Sequence, residues 1–128
     1  MQRCLLDTHT LLWWLSDAPQ LGERCRQLIS DPRNQIFVSA ASTWEISIKT
    51  ALGKLEAPAD MDSVVEDEGF TKLPISLYHG QLAGQLPPLH RDPFDRMLVA
   101  QAQSEGLILI TADETIPQYK LRVIDPHS

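Results

Sequence analysis

A chain of 128 residues is enough for one ordinary domain and too short for two. A hydrophobic fraction of 43% excludes a disordered tail or a coiled coil as the main architecture. A net charge of -6 excludes nucleic-acid binding by bulk positive charge, so any such binding needs a local basic patch or a bound cation.

Residues 3–6 (RCLL) make a short apolar run ending at Asp7, the pattern of a buried strand, and 8–16 (THTLLWWLS) follow as a helix. Residues 21–30 place Leu21, Cys25, Leu28 and Ile29 on one helical face, and Asp31-Pro32 stops that helix. Residues 35–38 (QIFV) predict a second strand. A helix over 42–52 carries apolar Trp44, Ile48, Ala51 and Leu52 and ends at Gly53. The stretch 60–70 reads as a short acidic helix or loop, and 73–75 (LPI) as an edge strand, because Pro74 lacks a donor. A helix over 76–86 leads into the loop PPLHRDP, and Pro93 suits the first turn of a helix reaching about Glu105, closed by Gly106. Residues 107–110 (LILI) are the clearest buried strand, and 121–124 (LRVI) offer a last one.

Strands alternating with helices predict right-handed βαβ units and one parallel sheet. The runs CLL and LILI lack two-residue alternation, as strands covered on both faces do. Cys4 and Cys25 show neither metal-ligand spacing nor a disulfide framework, and Cys4 reads as a buried thiol. The N-terminal apolar run is too short for a signal peptide, and no stretch approaches the roughly 20 apolar residues of a membrane span. A cytoplasmic protein without a membrane anchor is expected.

Ligands of an open parallel sheet bind beyond the carboxyl ends of its strands. Asp7 follows the first strand and Asp113 follows LILIT, so both belong at that edge. Glu45 lies early in the helix after QIFV, near the same edge, whereas the sheet rule does not place Asp92 or Asp95. Each acid also has a plainer reading. Ser42-Thr43-Trp44-Glu45 matches a capping box, Asp92-Pro93-Phe94-Asp95 an N-cap with a first-turn acid, and Asp113 a cap of a short final helix. Asp7 has no comparable excuse. Two carboxylates about 4 Å apart repel by roughly 4 kcal/mol at an effective dielectric near 20, so gathering several calls for a cation.

Four blocks, LLDTHTLLWWL, TWEISIKTALGKL, HRDPFDRMLVAQA and LILITADETI, together resemble PIN-domain ribonucleases, and more narrowly the VapC-type toxins of bacterial toxin–antitoxin pairs. The resemblance runs from Cys4 to about Asp125 with the blocks in order. It implies a single domain over 1–128, a three-layer α/β/α sandwich, and a catalytic, metal-holding quartet of Asp7, Glu45, Asp95 and Asp113. Asp7 and Asp95 are the expected direct ligands, with Glu45 and Asp113 acting through water. It further implies magnesium as cofactor, replaceable by manganese, cleavage of RNA, a cognate antitoxin and a homodimer. Thr8 and Thr111 match polar positions that support the metal shell, and with Lys49, Lys54, Arg91 and Arg96 they are the candidate substrate contacts. Asp92 reads as an N-cap or an auxiliary acid, and His90 as a loop histidine outside the catalytic set. Of the adjacent Trp13 and Trp14, either one enters the core while the other anchors a partner, or neighbouring helices half-bury both. The alternative to an enzyme is a PIN-fold binding module without activity. A receiver or haloacid-phosphatase domain expects an Asp-x-Asp at the first strand, which Asp7-Thr8-His9 does not supply.

Overall fold

Cys4, Leu5 and Leu6 are wholly buried because their strand is the middle one of a sheet covered on both faces. The computed structural model describes residues 1–128. Its elements, in chain order, are β1 (Arg3–Leu6), α1 (Thr8–Leu15), α2 (Glu23–Ser30), β2 (Gln35–Ser39), α3 (Ala40–Ala51), α4 (Met61–Asp67), β3 (Thr71–Leu73), α5 (Leu77–Gln85), α6 (Pro93–Glu105), β4 (Ile108–Ile110), a 3-10 turn at Ile116–Gln118, and β5 (Val123–Ile124). The strands form one sheet of order β3-β2-β1-β4-β5, parallel at every pairing.

Strand alternation divides the core into two layers. Cys4, Leu6, Ile36, Val38, Ile108 and Ile110 meet Leu11 of α1, Cys25 and Ile29 of α2 and Val65 of α4. Leu5, Phe37 and Leu109, one residue out of phase, meet Leu98, Val99 and Ala102 of α6. The expected three-layer α/β/α sandwich is the fold observed, and both predicted central strands lie where expected. No helix is long and apolar enough to cross a membrane.

Three local differences bear on function. β3 ends at Leu73 rather than starting there, because Pro74 has no N–H for the ladder. α3 begins at Ala40, not Ser42, with the Ser39 hydroxyl accepting from the Ala41 amide at 3.0 Å. β2 therefore runs into the helix without a loop, and Glu45 lies in its second turn, beyond reach of a capping box. The third difference concerns which face of α3 is buried. Trp44 and Leu52 are 61% and 63% exposed, while Ala41, Ser42, Glu45 and Ile46 point inward. The apolar stripe faces solvent and a carboxylate is buried in its place.

Gly53 and Gly106 end α3 and α6 as expected, with φ of +70° and +66° that favour glycine. The tryptophans follow the second of the two readings: both are half-buried. Trp13 lies against His127, and Trp14 lies against Phe70 while donating from Nε1 to Glu68 at 3.2 Å.

Candidate metal centre

At the carboxyl edge of the sheet the chain leaves β1 into α1, β2 into α3 and β4 into an irregular loop, and these exits surround a cleft of about 350 Å³. Asp7, Glu45, Asp95 and Asp113 all line it, as do Asp92, Thr8 and Lys49. Four separate stretches of sequence thus bring acids to one place.

Asp7 sits at the boundary of β1 and α1 and is 5% exposed. Its Oδ1 accepts from the Thr10 amide at 2.8 Å, so Asp7 is the N-cap of α1. The sequence gives this acid no structural role, and the fold supplies one. Its Oδ2 accepts from the Thr111 hydroxyl at 2.6 Å, and Thr111 Oγ1 in turn accepts from the Asp113 amide at 3.1 Å. Thr111 is buried, so it orients Asp7 and the Asp113 loop and is not placed to touch a substrate.

Glu45 is equally enclosed. Its Oε1 accepts from Thr8 Oγ1 at 2.7 Å and its Oε2 from Lys49 Nζ at 2.8 Å. That hydrogen bond raises the Lys49 pKa above its ordinary value against the opposing effect of burial. Lys49 therefore stays charged, one turn along α3 at the cleft wall.

Asp92 caps α6, accepting from the Phe94 and Asp95 amides at 2.8 and 3.1 Å, as its sequence context implies. Asp95, one turn in, presents Oδ2 to His90 Nε2 at 3.0 Å. Burial, followed by the charges of Asp92, Asp113 and Asp7, pushes the Asp95 carboxyl up to about 7, with His90 only partly opposing them. Asp113 spends Oδ1 on the Thr115 and Ile116 amides at 2.8 and 3.0 Å, and places Oδ2 2.9 Å from the same His90 nitrogen. Burial raises the Asp113 pKa, but the His90 hydrogen bond and the two amides outweigh it and hold the group below the usual carboxylate range.

His90 is the residue the sequence undervalued. Its Nε2 and one oxygen each from Asp95 and Asp113 lie within 4.8 Å of one another. The donors around the cleft are mostly hard carboxylate oxygens, the set that suits magnesium or manganese rather than a soft metal.

The remaining candidates divide. Thr8 lines the cleft and holds Glu45, whereas Lys54 and Arg91 are exposed and outside the lining. Arg96 departs from the phosphate-contact reading. Its guanidinium donates to the carbonyls of Ala83, Leu86, Pro87 and His90 at 2.8 to 3.2 Å, tying the loop before α6 to α5. Arg96→Ala should therefore lower stability by about 1–3 kcal/mol, the cost of leaving carbonyls unpaired, seen as an earlier thermal midpoint. An unchanged midpoint with weaker RNA binding would restore the phosphate reading.

The sequence matches the model of the PIN domain over residues 4–121. It is 50% identical over 42 residues to Ribonuclease VapC16 of Mycobacterium tuberculosis, a match covering 33% of this chain and 30% of that protein. The matched segment thus spans 30% of the length of that relative. Among solved structures, the fold resembles DNA-bound VapBC from Salmonella typhimurium with a TM-score of 0.69 and 22% identity, over 98% of both chains. It also resembles VapBC-1 from nontypeable Haemophilus influenzae with a TM-score of 0.69 and 20% identity, over 99% of this chain and 100% of that one. VapBC2 from Rickettsia felis, bound to a promoter DNA fragment, aligns with a TM-score of 0.67 and 16% identity, over 96% and 98%.

Proposed function

Because this chain belongs to the PIN domain family, we propose that it is a magnesium-dependent endoribonuclease of the VapC type, the toxin of a toxin–antitoxin pair, with manganese able to replace magnesium. One observation carries the reading: Asp7, Glu45, Asp95 and Asp113, each from a different stretch of sequence, line a single cleft at the carboxyl edge of the sheet. The 42-residue match to a protein named a ribonuclease, and the fold shared with VapBC complexes, support the same direction.

A divalent ion held there supplies Lewis-acid activation of water and neutralises charge developing on the phosphodiester. Asp7 and Asp95 would hold it directly, Asp7 being oriented by the Thr111 hydroxyl and the Thr10 amide. Glu45, held by Thr8 and Lys49, and Asp113, held by two backbone amides and His90, would act on the ion through water. Lys49 balances Glu45 and offers a positive contact for a phosphate at the cleft wall. Local cation and lysine charge thereby replace the bulk positive charge that the chain lacks. An antitoxin is the expected partner and a homodimer the expected assembly. The exposed Trp44 and Leu52 on α3, with Leu77 and Tyr78 at the start of α5, supply apolar surface for such contacts.

The test is cleavage of RNA by the purified chain, freed of any bound partner. Cleavage is expected with magnesium, and none in EDTA or in Asp7→Asn with magnesium present. A protein that cuts no RNA in either metal is instead a binding module that kept the fold.

A further inference from the structure

His90 is fixed from several directions. Its backbone N–H donates to Tyr119 Oη at 2.9 Å, its carbonyl accepts from Arg96 at 3.2 Å, and its ring Nδ1 accepts from the Asp92 amide at 3.2 Å. Tyr119 is anchored in turn by donating to the Pro87 carbonyl at 2.9 Å. The ring is thus aimed, not free in the loop.

The Asp92 contact decides what the other ring nitrogen can do. An Nδ1 that accepts an amide proton carries none itself, so the ring proton resides on Nε2. Nε2–H then points at two acceptors, Asp113 Oδ2 at 2.9 Å and Asp95 Oδ2 at 3.0 Å. A nitrogen that donates has no lone pair for a metal. The imidazole is therefore a poor ligand in this orientation, although its distance to the carboxylates is one a ligand would have. A divalent ion takes carboxylate oxygens at about 2.0–2.6 Å. The gap those two Oδ2 atoms share is already filled by the N–H, which relieves their repulsion as a cation would.

We propose that His90 is a positioning residue that competes with the divalent ion, its Nε2–H holding Asp95 and Asp113 as a pair until the ion takes its place. The inference rests on the metal-dependent reading above. It also explains how two acids can face each other across a cleft without a resident charge between them.

The measurement is manganese binding by calorimetry, with no RNA present, on the wild type, His90→Phe and His90→Gln. Phenylalanine keeps the bulk and lacks the donor; glutamine restores an N–H near the Nε2 position. His90→Phe is expected to bind manganese about tenfold more tightly, the effect of removing one hydrogen bond to a charged acceptor, and His90→Gln to return toward wild type. Pulsed EPR of the manganese-loaded wild type, which needs no variant to fold, is expected to show no nitrogen coupling from this ring. Unchanged or weaker binding in His90→Phe overturns the proposal, and so does a nitrogen coupling that His90→Phe removes, since His90 would then be a ligand. If wild type and both variants take up no manganese, the metal reading fails and this inference with it.

Discussion

Asp95→Asn should lose metal-dependent RNA cleavage while the protein, melted in EDTA at pH 7.5, becomes more stable. The two effects have one cause. Asp95 is charged only against burial and against Asp92, Asp113 and Asp7, which together push its carboxyl up to about 7. Asparagine keeps the shape and an oxygen for His90 Nε2, 3.0 Å away, but removes the charge that the fold opposes. Relief of that opposition is worth roughly 1–3 kcal/mol near neutral pH, or a thermal midpoint higher by about 3–10 °C in a domain of this size. The same charge is what a divalent ion needs. Loss of a merely supporting partner costs metal sites roughly 10- to 100-fold in affinity or activity, so loss of a ligand should exceed a hundredfold. Melts and calorimetry with manganese separate the effects. An Asp95→Asn protein less stable in EDTA than wild type, or cutting RNA at the wild-type rate, would sink the assignment.

How much of this could be read from the chain depends on how local each cause is. β1 and β4 were legible because CLL and LILI are apolar at every position, which only a strand covered on both faces requires. Asp92 was legible because its capping partners, Phe94 and Asp95, are its chain neighbours. α3 starts two residues before the expected Ser42. Ser39 and Ser42 are equally good caps by composition, and the fold turns the apolar stripe of Trp44 and Leu52 to solvent. Glu45 is buried on the opposite side because Thr8 and Lys49 are there to receive it, and Thr8 is 37 residues away. Arg96 and His90 were missed for the same reason. Arg96 serves carbonyls from Ala83 to His90, and His90 joins Asp95 to Asp113, contacts that no periodicity announces. The sheet rule alone gathered Asp7 and Asp113; Asp95 required either the family resemblance or the three-dimensional path of α6.

The pH dependence of stability offers a separate check, because the site's groups pull in known directions. Asp95 is raised in the folded protein from 3.8 to about 7, so the fold binds its proton more tightly than the unfolded chain does. Such a group contributes stability that is complete below its unfolded value and lost as pH rises through its folded one. His90 acts with the same sign at higher pH: burial lowers its pKa, but Asp113's hydrogen bond and charge, with Asp95, raise it above 6.5 overall. Asp113 works the other way: its contribution is complete above about 3.8 and is lost only as pH falls through its depressed folded value, so it adds no slope between pH 5 and 7.5. Between pH 5 and 7.5 in EDTA, urea midpoints of the wild type should therefore fall as pH rises. Asp95→Asn should fall less, with only the histidine's share left. Magnesium inverts the trend, because the ionised carboxylates that destabilise the fold are the ones that bind the ion, and ligand binding to the folded state alone stabilises it. The gain on adding magnesium should accordingly be small at pH 5 and largest at pH 7.5. Parallel wild-type and Asp95→Asn curves, with a magnesium effect equal at both pH values, would mean that Asp95 does not face the other acids as the cleft places it.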